Sequence, residues 1–361
     1  MNYRNITIAL LFVLIPAHLS AQPVSEKRTF RKSVKANRDM TLEVRNKYGT
    51  IHLTTSTSDS VKITAEIEAS ASSRDKIGKM LEGINVNITE TDFVIIAQTE
   101  FTQTINMLFE DFKGMTNKIF QYDSRVQINY FISAPEYLNL RIDNKFGDVY
   151  MESCTGNASL TISNGSLKAN SLRNAHDLNL SFCDATIAST GDAIIDASFS
   201  ELTIGESGSL KINSVSSKFE LKIAGNISTE SKRDKFYIGT LNSLHGSSYF
   251  TDFRIDKLTG DIDLMTKYGS LNADLIEKGF KGANINSGYS DIYLTFDPTA
   301  SYKLEVRHTN TILSLPEANA KIERKPVNEE NREYISYGSV GKNPDKINVI
   351  IDATRGKVSI K

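Results

Sequence analysis

Residues 140–151 read LRIDNKFGDVYM, and their pattern decides the fold. Apolar residues Leu140, Ile142, Val149 and Met151 alternate on both sides of a short Asn144-Lys145-Phe146-Gly147 corner. Alternation at period two makes half-buried strands, so this is strand, corner, strand. The same template, apolar-x-apolar-x-Asn-x-aromatic-Gly-x-apolar-x-apolar, recurs at residues 42–53 as LEVRNKYGTIHL. It recurs at 262–273 as IDLMTKYGSLNA and at 283–294 as ANINSGYSDIYL, with Thr for Asn in the first and Ser for Gly in the second.

Weaker copies fill the interval. The Gly-equivalent positions run Gly147, Gly165, Ala185, Ser200, Ser217, Asp234, Ser248, Gly269, Ser290 and Thr311, and a last copy places Gly356 at its corner. The repeat is therefore degenerate, with a period of about 14–21 residues. One such unit cannot bury its own apolar face, whereas stacked units share a continuous core. The expected fold is all-β, a parallel β-helix or β-solenoid. A Greek-key sandwich would also show many short strands, but not one corner at nearly constant spacing. The residues expected to define the corner are Asn46, Gly49, Asn144, Gly147, Gly165, Gly269 and Gly356, with glycine supplying a positive φ at the bend.

Three regions follow. Residues 1–21 have a positive residue, Arg4, then an apolar run too short to span a bilayer and a small residue, Ala21, at a plausible cut; they read as a signal peptide. Residues 22–134 hold strands and helical inserts and read as a cap region. One insert is SSRDKIGKMLEG (72–83). In another, Ile105, Leu108, Phe109 and Phe112 share a helical face. That face is expected to cap the stack, although it could dock a partner. Residues 135–361 hold the repeats, broken by a polar loop excursion near 316–346.

The chemistry is sparse. Lys+Arg 42 against Asp+Glu 43 leaves a net charge of -1, which gives no reason to expect nucleic acid or an anionic membrane as partner. After export, no further run is long and apolar enough for an integral span. Cys154 and Cys183 could bridge, but two cysteines make no disulfide framework, and two buried thiols are the expectation. His52, His176, His245 and His308 are scattered, so no metal and no other cofactor is expected. Catalytic fingerprints are missing, and a non-enzymatic chain is the expectation. Carboxylate pairs that could do glycosidase-type acid/base work are Asp261 with Asp263, Asp143 with Asp148, and Asp192 with Asp196. A solvated outer face explains them equally. Outward Tyr150, Tyr237 and Tyr293 could hold a glycan or a protein.

The stretch INYFISAPEYLNLRIDNKFGDVY (128–150), the recurring corners and the leader together resemble the bacterial "putative adhesin" family, a domain of unknown function built of β-strand repeats. The resemblance runs from about Phe30 to the C-terminus. It implies a β-solenoid exported to the periplasm or outer surface of a bacterial cell, acting as a binding or scaffold module. A glycan-active enzyme and an envelope sensing component working through a protein partner are the alternatives. The family supplies no catalytic residue.

Overall fold

The computed structural model describes residues 24–102 and 124–361. The expected signal peptide and the amphipathic Ile105–Phe112 stretch lie outside the described residues. The described residues are nearly all β with one short α-helix. That helix, Arg74–Glu82, falls where SSRDKIGKMLEG was read as helical. The Ser73 side chain caps it by accepting from the Lys76 N–H, and Ile77 and Leu81 bury its apolar face.

Successive passes of the chain pair in parallel and in register. Leu202 lies opposite Phe219, Phe219 opposite Phe236, and Phe236 opposite Phe253. Corner hydrogen bonds join residues 17 apart in this region and 21 apart between Gly269 and Ser290. Alternation puts every second side chain inside, as in Asp261–Lys267, where Ile262, Leu264 and Thr266 are buried. Like residues then stack in the interior, and Phe219, Phe236 and Phe253 lie face to face with centroids 4.5 and 4.8 Å apart. Each ring so buried contributes roughly 1.5–3 kcal/mol relative to exposure. Lys235–Tyr249, Asp252–Leu258, Ser270–Ile276, Gly282–Phe296 and Asp261–Lys267 form a closed ring of parallel pairings, because each long strand meets one short strand before the corner and another after it.

Both ends leave the repeat by switching to antiparallel pairing. At one end Ser60–Ala71 runs antiparallel to Val24–Lys35 and to Ser124–Pro135, and Ile84–Glu90 pairs with Val94–Phe101. Thr41–Lys47 sits between Val94–Phe101 and Asn139–Lys145, parallel to both. At the other end the stretch read as a polar loop is a hairpin. Ala320–Asn328 pairs antiparallel with Glu333–Val340, which pairs with Tyr302–Thr309. Polarity misled the reading here because the hairpin pairs through its backbone while the side chains of Ala320–Asn328 stay mostly exposed, with Arg324 over Tyr334 at 4.1 Å and Lys325 over Tyr337 at 4.8 Å. Asn348–Ile360 then returns and lies between Gly282–Phe296 on one side and Tyr302–Thr309 with Ile312–Ser314 on the other. Order in space is therefore not order in sequence.

At most of the template corners the bend is not carried by the glycine. The left-handed residue is the one before the glycine: Tyr48 (φ 64), Phe146 (58), Asn164 (56) and Tyr268 (58). Of the glycines expected to carry the bend, only Gly356 has a positive φ, 82, beside Arg355 at 61. Gly49, Gly147, Gly165 and Gly269 are needed because a Cβ would overlap the carbonyl oxygen of the neighbouring rung, at Ile128, Gly49, Gly147 and Thr251 respectively. Asn46 and Asn144 are buried beneath the corner, and their side-chain amides donate to the Ile128 carbonyl at 2.9 Å and the Gly49 carbonyl at 3.2 Å.

Two weak copies were also placed out of phase. The left-handed residues Phe182 and Phe250 put Cys183 and Thr251 at the corner, not Ala185 and Ser248. Where the corner residue is not glycine, its side chain serves the adjacent rung. The N–H of Cys183 donates to Ser200 Oγ at 3.1 Å, that of Ser200 to Ser217 Oγ at 3.2 Å, that of Ser217 to Asp234 Oδ1 at 2.6 Å, and that of Asp234 to Thr251 Oγ1 at 3.3 Å. Glycine avoids the neighbouring carbonyl, whereas Ser, Thr and Asp use the same gap for a hydrogen bond.

Candidate functional site

The tip of each corner points outward, because the strands on both sides turn their apolar residues to one shared interior. Along this ridge the left-handed residues run Tyr48, Phe146, Asn164, Phe182, Phe199, Ser216, Arg233, Phe250, Tyr268, Tyr289, Asn310 and Arg355. Seven of these twelve are aromatic, and bulky residues rarely adopt this conformation. Phe182 and Phe199 are 59% and 54% exposed, so their rings are not compensated by burial. They stack on each other at 5.0 Å with planes 4° apart. Tyr48 stacks on Phe146 at 5.4 Å, Phe250 on Tyr268 at 5.0 Å, and Tyr268 leans on Tyr289 at 5.0 Å. Their faces are thus turned to one another and their edges to solvent. Cations lie over several rings: Lys47 over Tyr48, Lys267 over Tyr268 and Arg355 over Tyr289, at 4.7, 5.3 and 5.0 Å.

The outward tyrosines singled out from the sequence lie on the face that follows the corner. Tyr150 stacks on His52, which stacks on Phe131, giving a second short ladder. Tyr150, Tyr237 and Tyr293 each have a lysine from another rung near the ring, Lys168, Lys218 and Lys357. Open depressions along this face are lined by Tyr150, Lys168 and Thr186, and by Glu220, Tyr237 and Arg254.

Five of the six paired carboxylates take hydrogen bonds from neighbouring rungs. Asp261 accepts from Ser243 Oγ at 2.6 Å and pairs with His245 Nε2 at 2.7 Å. The Ser243 hydroxyl, opposed by partial burial and aided by His245, holds its carboxyl below the usual range. A general acid needs the opposite shift. Asp263 accepts from Asn284 Nδ2 at 2.9 Å. Asp148 takes the Ser166 N–H and hydroxyl, Asp192 the Ser209 N–H, and Asp196 the Asn213 amide. Cys154 and Cys183 are free and buried, and burial pushes their thiols up to about 11 and about 12. Among the described residues no group of His, Cys, Asp and Glu could hold a metal ion, and no helix is long and apolar enough to cross a membrane.

The ridge was half visible in the sequence. The template included the aromatic before glycine at Tyr48, Phe146, Tyr268 and Tyr289, but read it as part of the bend. Phe182-Cys183, Phe199-Ser200 and Phe250-Thr251 carry the same aromatic-then-small signal without glycine.

No protein-family model matches this chain, and no curated protein matches it. Among solved structures, a "putative cell adhesion protein" from Clostridium sporogenes matches at 9% identity and TM-score 0.21, covering 93% of this chain and 99% of that one. A "putative adhesin" from Bacteroides fragilis matches at 11% identity and TM-score 0.26, covering 92% and 97%. A "putative lipid binding protein" from Parabacteroides distasonis matches at 9% identity and TM-score 0.28, covering 73% and 93%. Similarity this low carries no argument from those proteins to this one.

Proposed function

We propose that the chain is an exported, non-enzymatic β-solenoid of adhesin type, a rigid binding module whose aromatic ridge is the contact surface in the bacterial envelope. One observation carries the reading. Phe146, Phe182, Phe199 and Phe250 hold a left-handed backbone on an exposed tip. Each such residue costs roughly 1–2 kcal/mol of conformational strain. Asn164 and Ser216 occupy the same corner without a ring, so the fold does not require aromatics there. Ring stacking offsets part of the strain, at about 0.5–1.5 kcal/mol per pair. Exposed apolar edges remain, and these suit a partner surface.

The test is a double substitution, Phe182→Asn with Phe199→Asn, since asparagine tolerates this backbone at Asn164. Far-UV circular dichroism and the melting midpoint should stay close to those of the wild type. Cosedimentation with a washed bacterial envelope fraction should fall about tenfold, the equivalent of roughly 1.4 kcal/mol. Equal cosedimentation of both proteins would dismiss the ridge as the contact surface. The enzymatic alternative predicts release of reducing ends from envelope polysaccharides that vanishes in Asp261→Asn with Asp263→Asn.

A further inference from the structure

Resting on that binding reading, we propose that the ridge seats on the surface of a zwitterionic phospholipid bilayer. Shape is the first argument. Adjacent rungs lie about 4.8 Å apart, so the row of tips extends roughly 50 Å. It is convex, since the strands on either side fall away around the core. A convex ridge cannot enclose a small molecule or wrap a glycan chain, but it can lie along a flat surface.

Charge order is the second argument. The tips and the outward residues just before them carry Lys47, Lys145, Lys232, Arg233, Lys267 and Arg355, and no Asp or Glu. Two positions further down each flank carboxylates outnumber cations: Asp143, Asp196, Glu230 and Asp352 against Arg45 and Arg307 on one side, and Asp148, Asp184, Glu201, Asp252 and Asp291 against Lys218, Lys235 and Lys357 on the other. From apex to flank the net order is aromatic edge, cation, carboxylate. A phosphatidylethanolamine surface read outward from the chains is ester carbonyl, phosphate, ammonium. The two sequences complement each other layer by layer. Aromatic residues favour the carbonyl zone of a bilayer, and lysine and arginine favour its phosphates. An anionic surface has no outer cationic layer for the flanking carboxylates and would repel them. The overall charge of -1 is consistent with this, since the arrangement is layered rather than basic.

Vesicle flotation with the full chain tests the assignment. The probes are phosphatidylcholine/phosphatidylethanolamine vesicles, and the same vesicles with a third of the lipid replaced by phosphatidylglycerol. The wild type should float with the neutral vesicles and no better with the acidic ones. Each ring removed in the series Phe182→Asn, Phe199→Asn and Phe250→Asn should lower partitioning about threefold to tenfold, as partial withdrawal of a buried ring implies. Lys145→Glu with Lys267→Glu leaves the rings in place and should also weaken binding to neutral vesicles. Flotation only with acidic vesicles, or flotation indifferent to both variants, would overturn the proposal. So would sedimentation velocity showing that the rings pair one copy with another. If envelope cosedimentation persists and still depends on Phe182 and Phe199 while neutral vesicles fail, the binding surface stands and the lipid assignment falls.

Discussion

Replacing Gly147 by alanine adds a single methyl group, and the structure sets its consequence. The new Cβ would overlap the Gly49 carbonyl oxygen and lie 2.7 Å from the carbonyl carbon, where ordinary contact begins at 3.4 Å. Relief requires the two rungs to separate locally by about 1 Å. Three hydrogen bonds span that gap: Tyr48 N–H to the Lys145 carbonyl at 2.9 Å, Ile51 N–H to the Asp148 carbonyl at 2.9 Å, and Asn144 Nδ2 to the Gly49 carbonyl at 3.2 Å. Stretching them by about 1 Å takes them beyond useful range. Each is worth about 1 kcal/mol net, and the fully buried Asn144 amide adds a desolvation penalty, so the loss should reach about 3–5 kcal/mol. Gly78 is the control. A Cβ there meets nothing within 4 Å in the interior of Arg74–Glu82. Gly78→Ala should therefore stabilise by about 0.5–1 kcal/mol. Urea titrations followed by far-UV circular dichroism compare the two directly, and tyrosine emission serves as second probe because the chain has Trp 0. A loss of only about 1 kcal/mol at Gly147 would refute the close-approach argument.

Two further outcomes follow from buried polar groups. Asp234 is 1% exposed and accepts from Ser214 Oγ, Ser217 N–H, Ser231 Oγ and Lys232 N–H at 2.6–3.0 Å. Asp234→Ala should cost about 3–5 kcal/mol in a urea titration, with Asp234→Asn recovering part, because the orphaned backbone N–H groups cannot turn to other partners. His308 is 2% exposed, its Nε2 has no partner, and burial, with Arg324 adding to it, holds its pKa below the ordinary value. The folded form therefore resists protonation, so its contribution to stability is full above the unfolded pKa of about 6.5 and is lost as pH falls below it. Melting midpoints at pH 7.5 and 5.5 should differ less in His308→Leu than in the wild type; an identical pH difference would show that His308 is not the group responsible.

The all-β class was legible because side-chain alternation is a two-residue signal and survives degenerate copies. Gly147 was legible as a constraint but not in its cause. Positive φ and close approach both select glycine, and only the position of the Gly49 carbonyl separates them. The phase of the copies around Cys183 and Thr251 was lost because small polar residues occur at inward positions too, as Ser231 and Ser248 do. The 320–340 hairpin was hidden by its charges, whose ring contacts come from different strands. The ridge itself was illegible as a surface. A sequence shows an aromatic before glycine, but not that the ring stands outside the bend rather than within it.

The place of Asn348–Ile360 between two strands that precede it bears on how the protein is made. Emerging N-terminus first from the export pore, Gly282–Phe296 appears with its outer edge vacant, and the strand that fills it is separated by the whole of residues 297–347. Growth of the stack from one end cannot simply continue, because adding Tyr302–Thr309 directly to the vacant edge would shut out the proper neighbour. The emerging chain is thus most exposed to mispairing with another copy during this interval. A holding factor acting late in emergence would protect it more than one acting on the first rungs.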